Sequence, residues 1–520
     1  MLGTTSAWSR GYAPLMQRLF LRRCGGGNMP SRRTGWAPVF RCNSTAMKSS
    51  LAGQRVAIDK VQKCLEKIIA HTDMADRVTQ NPTILSQHGQ DEGHINCSAP
   101  DAVVFPKNTE EVATVVRACA EEGVPVIPWG AGTSLEGHTS AERGGLTLDF
   151  TEMAEVLEVN QEDMDCRVQA GVTREGLNEY LHQTGLFFPI DPGANATLGG
   201  MASTRASGTN AVRYGTMREA VLGLTVVTPQ GQVVRTGGRA RKSAAGYDLT
   251  RLYVGAEGTL GVITEVQLRL WGLPEAISSA TCSFPDLHSA VNAVIGIIQC
   301  GVPVARCELL DATTVGLVNA HSDLALPAAP TLFFEFHGTG AGVAEQAELA
   351  AELCREGGAG DFQWAADPAA RRRLWAARHQ AYYAVLRAAK PGSKGWPTDV
   401  CVPISRLADC IVQTSKDIES RKMTAPIFGH VGDGNFHVIF TSHPEDTEDE
   451  VRQILEVNEN MIGRALEMGG TCTGEHGIGL GKMHNLVQEH GPDSVQLMSN
   501  IKLAMDPQNI MNPGKLFHHR

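Results

Sequence analysis

The chain has 520 residues, 42% of them hydrophobic and 20% charged, and carries a formal net charge of −10 at pH 7. That is the composition of a folded protein too long for one core, so two or more domains are expected. The acidic balance argues against nucleic-acid binding, which needs a basic face to neutralise phosphates, and the lack of any apolar run of about 18 residues argues against a transmembrane segment.

The chain begins with a basic leader. No Asp or Glu precedes Asp59, while Arg10, Arg18, Arg22, Arg23, Arg32, Arg33 and Arg41 punctuate the same stretch. An acid-free, Arg- and Ser-bearing leader of about 50 residues looks like a mitochondrial transit peptide. A secretory signal is the rival, but Arg18 interrupts its apolar portion. The thirteen cysteines show no C-x-x-C pair and no regular spacing, which predicts buried, reduced thiols rather than a disulfide framework.

Residues 60–272 read as one domain and 273–520 as another. In "NTEEVATVVRACAEEGVPVIPWG" Asn108 can cap a helix with Glu111 at its third position, and Gly123 closes it. "VPVIP" follows as a short buried strand. Between 145 and 270 come short strands, "GLTLDF", "LGLTVVTPQGQVVRT" and the alternating "ITEVQLRL". "WGLPEA" is the candidate boundary. Beyond it, amphipathic helices in "FPDLHSAVNAVIGIIQCG" and "AGVAEQAELAAELCREGG" flank the strand-like "TLFFEFHG", a pattern for helices on an antiparallel sheet. "TEDEVRQILEVNENMIGRALEMGG" opens on a capping box of Thr447 and Glu450, and a helical segment closes the chain. The fold class is α+β.

Three segments are rich in glycine and poor in bulk: "PWGAGTSLEGH" at 128–138, "DPGANATLGGMASTRASGTNAVRYG" at 191–215 and "GAEGTLGVIT" at 255–264. The first fails the dinucleotide fingerprint, because Leu135 stands where a third glycine is required. Together they suggest a long, phosphate-bearing ligand wrapped by backbone amides. "GIGLGK" at 477–482 is too short for a phosphate loop of the Walker type.

These segments together resemble the FAD-binding domain of the vanillyl-alcohol oxidase and p-cresol methylhydroxylase superfamily. "GHVGDGNFH", "GEHGIG" and "MNPGK" near the other end resemble its D-2-hydroxy-acid dehydrogenase branch, and above all the members that oxidise D-lactate in mitochondria. The resemblance spans about residues 60 to 520 and implies a two-part FAD-binding domain followed by a substrate domain. It implies flavin contacts from Trp129, Gly130, Ala131, Gly132, Thr133, Ser134 and Gly137 in the first segment. The second would give Pro192, Gly193, Leu198, Gly199, Gly200, Ser203, Gly208 and Tyr214, the third Glu257, Gly258, Val262 and Ile263, and the last motif Asn512. Some relatives attach the flavin covalently through a histidine in the first loop. Here Thr133 holds that position, so a noncovalent flavin is expected, and His138 reads as a loop residue.

"GHVGDGNFHVIF" at 429–440 places two histidines around Asp433-Gly434. Taken as the two-residue loop of a type I′ hairpin, this pair would put His430 directly opposite His437, with Cβ atoms about 4.5–5.5 Å apart. Two imidazoles so placed can share a metal ion, with Glu475 as a third ligand. They can equally be a hydrogen-bonded pair on a half-buried sheet. The resemblance implies one divalent ion on these three positions, zinc or manganese.

His476 is the candidate base, since a hydroxyl held against a cation is acid enough to pass its proton to an imidazole. Arg378 matches a family arginine that grips the substrate carboxylate, with Lys394 as a second candidate. Ile439 and Pro397 stand where the D-2-hydroxyglutarate branch has an asparagine and a lysine, which points to a monocarboxylate, D-lactate first. The acceptor of the electrons, cytochrome c by resemblance, must be a separate molecule, because no C-x-x-C-H is present. A broader D-2-hydroxy-acid or D-2-hydroxyglutarate dehydrogenase remains open, as does a His/His/Glu metallohydrolase, although a hydrolase would not need the glycine segments.

Overall fold

The computed structural model describes residues 54–517, apart from 323 and 366. The basic leader therefore lies outside the described residues.

The first half is built on two sheets. The smaller has the spatial order Val78–Thr79, Ala102–Val104, Leu146–Asp149, Val126–Trp129, the last three strands running parallel. The crossover between two of them is the helix Thr109–Glu122. Asn108 caps it by accepting the Glu111 amide at 2.9 Å, and Gly123 ends it in the left-handed region at φ +66. The second sheet is antiparallel, in the order Val156–Asn160, Asp165–Gln169, Val262–Arg269, Val221–Val227, Val233–Gly237. The crossover helix buries Val112, Val115, Val116 and Cys119 between the two, against Val126 and Leu146 on one side and Val227 and Val262 on the other. This packing holds the strand that leads into the first glycine loop.

The second half centres on an eight-stranded sheet. Its path runs Gln363–Trp364, Ala276–Ser283, Thr331–Gly338, Arg306–Leu310, Ile427–Gly429, Asn435–Ser442, Lys394–Pro397, and Val400–Cys401 pairs with Asn435–Ser442 off that path. Leu287–Gln299, Gly340–Glu356 and Leu407–Ser420 cluster on one another, with Gly340–Glu356 against the sheet. Glu448–Glu467 joins them, opened by the Thr447–Glu450 capping box. The other face packs Phe333, Phe428 and Ile439 beneath Ala312–His321, Pro368–His379 and Ala381–Ala388.

The boundary expected near 272 is crossed later in the chain. Ile510 and Met511 pack in the core of the first half, and Met511 forms a parallel bridge with Val126. Lys502, 1% exposed, donates to the carbonyls of Thr259 and Met511 and pairs with Asp506. Residues 502–515 thus belong physically with the first half. Among the described residues, eleven cysteines are free thiols, most of them buried.

Candidate active site

Glycine is required where the three loops meet. Gly132 and Gly258 have φ of +70 and +74. A Cβ on Gly130 would stand 2.2 Å from Thr197 Oγ1, and one on Gly199 2.6 Å from the Ala170 Cβ. The loops therefore close to a separation that no other residue permits. They leave one cavity, lined at one end by Trp129 to Ser134, Pro192, Gly193, Gly199, Gly200, Ser203, Glu257, Gly258, Ile263 and Asn512. Within it the Trp129 Nε1 and Ser134 Oγ are buried without a partner. An elongated cofactor with polar edges fits such a wall.

Five positions expected at the flavin do not line this cavity. Leu198 and Val262 are wholly buried in the two cores of this half. Gly137 packs on Leu480 and donates its amide to Asp91, and Gly208 abuts the Asp191 backbone. The Tyr214 hydroxyl bonds to His337 Nδ1 at 2.7 Å, with its ring edge-on to Phe187 and Trp271. A motif follows the chain, but alternate residues along it face the core.

The other end of the cavity is furnished by the large sheet. Strand register puts Glu308, Leu310, Phe428, His437, Ile439 and Pro397 on one face, through the pairs Leu310–Phe428, Phe428–His437 and Ile439–Pro397. His437 faces Phe428, not His430, so the expected two-residue hairpin is not formed. Residues 430–434 make a longer loop in which the amides of Asp433 and Asn435 both donate to the His430 carbonyl. Of the two central residues only Gly434 has positive φ, at +92. The loop folds inward instead: Gly432 donates to the Cys307 carbonyl, and a Cβ on Gly434 would strike the Val402 carbonyl at 2.2 Å. Tertiary contact overrides the local turn preference. Because the register moves by two, His430 keeps its face, and the rings meet almost edge-on with centroids 5.5 Å apart.

Glu475 completes the group, its Oε1 lying 3.0 Å from His430 Nε2 and 3.3 Å from His437 Nε2. It arrives on a loop pinned at both ends. Asp399 accepts the backbone amides of Glu475 and His476 and the Thr473 hydroxyl at 2.7–3.0 Å. Glu257 accepts the amides of Ile478 and Gly479. The glycines of "GIGLGK" serve this clamp, since a Cβ on Gly479 would lie 2.1 Å from the Glu136 carbonyl.

Each imidazole is oriented by a bond at its other nitrogen, as ligating histidines are. His437 Nδ1 donates to the Thr398 carbonyl at 2.9 Å, and His430 Nδ1 lies 2.8 Å from Glu308 Oε1. Both Nε2 atoms are thereby turned toward Glu475, whose Oε2 is buried and unpartnered. Burial opposes charge on His430, yet Glu308 and Glu475 outweigh it and raise its pKa well above the imidazole range. Burial would raise Glu475, but His430 holds it below the carboxylate range. Donors of this kind and spacing fit a divalent cation. Asp399, His437 and His476 are equally close together, but Asp399 already accepts four hydrogen bonds, three of them on Oδ2, and His437 Nδ1, the nitrogen on its side, donates to the Thr398 carbonyl.

His476 stacks on His437 with centroids 5.0 Å apart. Burial pushes its pKa down to about 4, against the pull of Asp399, and its Nδ1 has no partner. It is thus a neutral base facing the cavity. Arg378, 5% exposed, also lines the cavity, paired to Glu308 and lying over the Phe428 ring at 4.9 Å. Lys394 does not. It lies on the strand face opposite Pro397, is exposed, and reaches toward Asn96.

Several lining residues escaped the sequence reading. Tyr382 and Tyr383 reach across to the Glu92 carbonyl and carboxylate, roofing the cavity from both halves. Glu308 and Asp399 support the site from behind. A lone Glu within the apolar strand "RCELL" was the available signal, because a carboxylate in such a run is buried and must be paired.

Comparison with known proteins gives the class first. Residues 100–237 match the model of the FAD binding domain, and residues 273–516 match that of the FAD linked oxidases, C-terminal domain. A structure of p-cresol methylhydroxylase with substrate bound shares the fold, with a TM-score of 0.72, 18% identity, and coverage of 89% of this chain and 97% of that one. Among curated sequences, the chain is 48% identical to the Danio rerio protein named "Probable D-lactate dehydrogenase, mitochondrial", over 92% of this chain and 95% of that one. It is 45% identical to the mitochondrial D-lactate dehydrogenase [cytochrome] of Arabidopsis thaliana, over 86% and 78%. The chain belongs to the FAD-linked oxidase family, in the group that holds the mitochondrial D-lactate dehydrogenases.

Proposed function

We propose that the chain is a mitochondrial flavoenzyme that oxidises D-lactate to pyruvate, with FAD held noncovalently, one divalent ion on His430, His437 and Glu475, and cytochrome c as the separate electron acceptor. The observation that carries this reading is the single cavity, glycine-walled at one end and bearing His430, His437, Glu475, His476 and Arg378 at the other. The family and the names of its members support the substrate and the compartment.

When bound, FAD supplies the hydride acceptor and the ion supplies a positive charge that acidifies a neighbouring hydroxyl. The chain's own groups do the rest. Arg378, fixed by Glu308 and Phe428, takes the substrate carboxylate through its remaining N–H groups, of which Nε is buried without a partner. His476, kept neutral by burial, accepts the hydroxyl proton on its imidazole ring. Tyr382, Tyr383 and Glu92 limit access of water from above.

Pro397 and Ile439 are partners across two strands and both line the cavity beside Phe428. A second carboxylate against this apolar wall would be buried without a partner, which is costly. The expected result is a higher kcat/KM for D-lactate than for D-2-hydroxyglutarate; preference for the diacid would overturn this assignment. Because Thr133 cannot bond to the flavin, acid precipitation is expected to leave a colourless pellet and a yellow supernatant. Colour kept by the denatured chain would contradict noncovalent binding.

A further inference from the structure

Glu308 is completely buried on the strand Arg306–Leu310, in the middle of the large sheet. Its carboxylate is shared by two residues that the proposed reaction uses for different purposes. His430 Nδ1 lies 2.8 and 2.9 Å from its two oxygens, and Arg378 Nη2 lies 2.5 Å from Oε2. The three come from separate parts of the chain, a strand, a loop and the last turn of the helix Pro368–His379.

Resting on the function proposed above, we propose that Glu308 is a positioning residue that sets the substrate-binding arginine and the ion-binding histidine in one fixed relation. Its charge does two things at once. By accepting the proton of His430 Nδ1 it leaves Nε2, which donates to Glu475 in this structure, as the nitrogen whose lone pair an ion would take in place of that proton. By taking one guanidinium nitrogen it fixes the plane of Arg378 over Phe428 and leaves the other N–H groups for a carboxylate. A 2-hydroxy acid presents its carboxylate and its hydroxyl on adjacent carbons, so the two binding groups must be held at one spacing. One carboxylate that holds both achieves this without a second support.

The test is Glu308→Gln. The amide has one acceptor where two are needed, and its NH₂ group set against His430 Nδ1 would move the ring proton to Nε2, removing the lone pair. Equilibrium dialysis of the FAD-loaded protein with Mn²⁺ is expected to show affinity weakened about 10–100-fold, with KM for D-lactate raised and flavin content unchanged. Arg378→Met breaks the same ion pair but leaves His430 its partner, so it should raise KM while Mn²⁺ affinity holds. Equal Mn²⁺ affinity in Glu308→Gln and wild type overturns the proposal and leaves the ion site standing. A wild-type protein that binds neither Mn²⁺ nor Zn²⁺ overturns the ion site as well. Should Glu308→Gln not fold, ¹⁵N spectra of the histidines in Zn²⁺-loaded wild type decide. A proton on His430 Nδ1 supports the assignment, and one on Nε2 refutes it.

Discussion

Replacing His476 by alanine is expected to lower the rate of flavin bleaching by D-lactate about 10²–10⁴-fold, the range for loss of a positioned general base, while FAD and ion stay bound. The side chain is not one of the three proposed ion ligands. Its backbone amide is held by Asp399 and its ring by stacking on His437, so truncation removes the proton acceptor without releasing the loop. Burial lowers the pKa of His476 to about 4, which keeps the ring unprotonated while reducing its proton affinity. An imidazole already neutral at physiological pH can accept a proton there, and His476 lines the cavity stacked on His437. Stopped-flow anaerobic reduction checks it. A variant that bleaches at the wild-type rate would remove His476 from the base role.

Stripping the ion with a chelator is expected to suppress turnover of D-lactate by at least about 10²-fold, since Lewis-acid assistance contributes several kcal/mol and each 1.36 kcal/mol is tenfold in rate. The flavin spectrum should persist. Its wall is made by the loops at 129–134, 192–203 and 257–263, none of which carries His430, His437 or Glu475. Both histidines also pair with Glu475, and Asp399 and Glu257 hold the Glu475 loop independently. Activity should return with Mn²⁺ or Zn²⁺. Undiminished turnover in ion-free protein would make the three residues structural.

How much of this was legible in the chain depends on whether the constraint is local. The crossover helix carries its own start and stop signals in Asn108 and Gly123, and its bounds could be read directly. The glycine segments were conspicuous because close backbone approach demands them at Gly130, Gly199 and Gly258. Which residues within those segments face the cavity was not visible, since Leu198 and Val262 have the same neighbours as Gly199 and Ile263 yet point into the cores. The hairpin at 430–437 misled for a different reason. Asp-Gly favours a tight turn in isolation, whereas Cys307 and Val402 draw this loop inward. Lys394 and Arg378 are both cations near suggestive motifs. Strand alternation, known once Pro397 is paired with Ile439, turns Lys394 to solvent, whereas Arg378 reaches the cavity from the last turn of a helix.

The bridge between Val126 and Met511 makes the order of synthesis differ from the order of assembly. The strand that launches the first glycine loop is made early, but its neighbour emerges some hundreds of residues later, together with Asn512, which bonds to the carbonyls of His138 and Glu257. Contacts so distant in sequence form slowly. The nascent flavin half must therefore wait, open along one side and vulnerable to aggregation, until the intervening sheet and its helices have been translated.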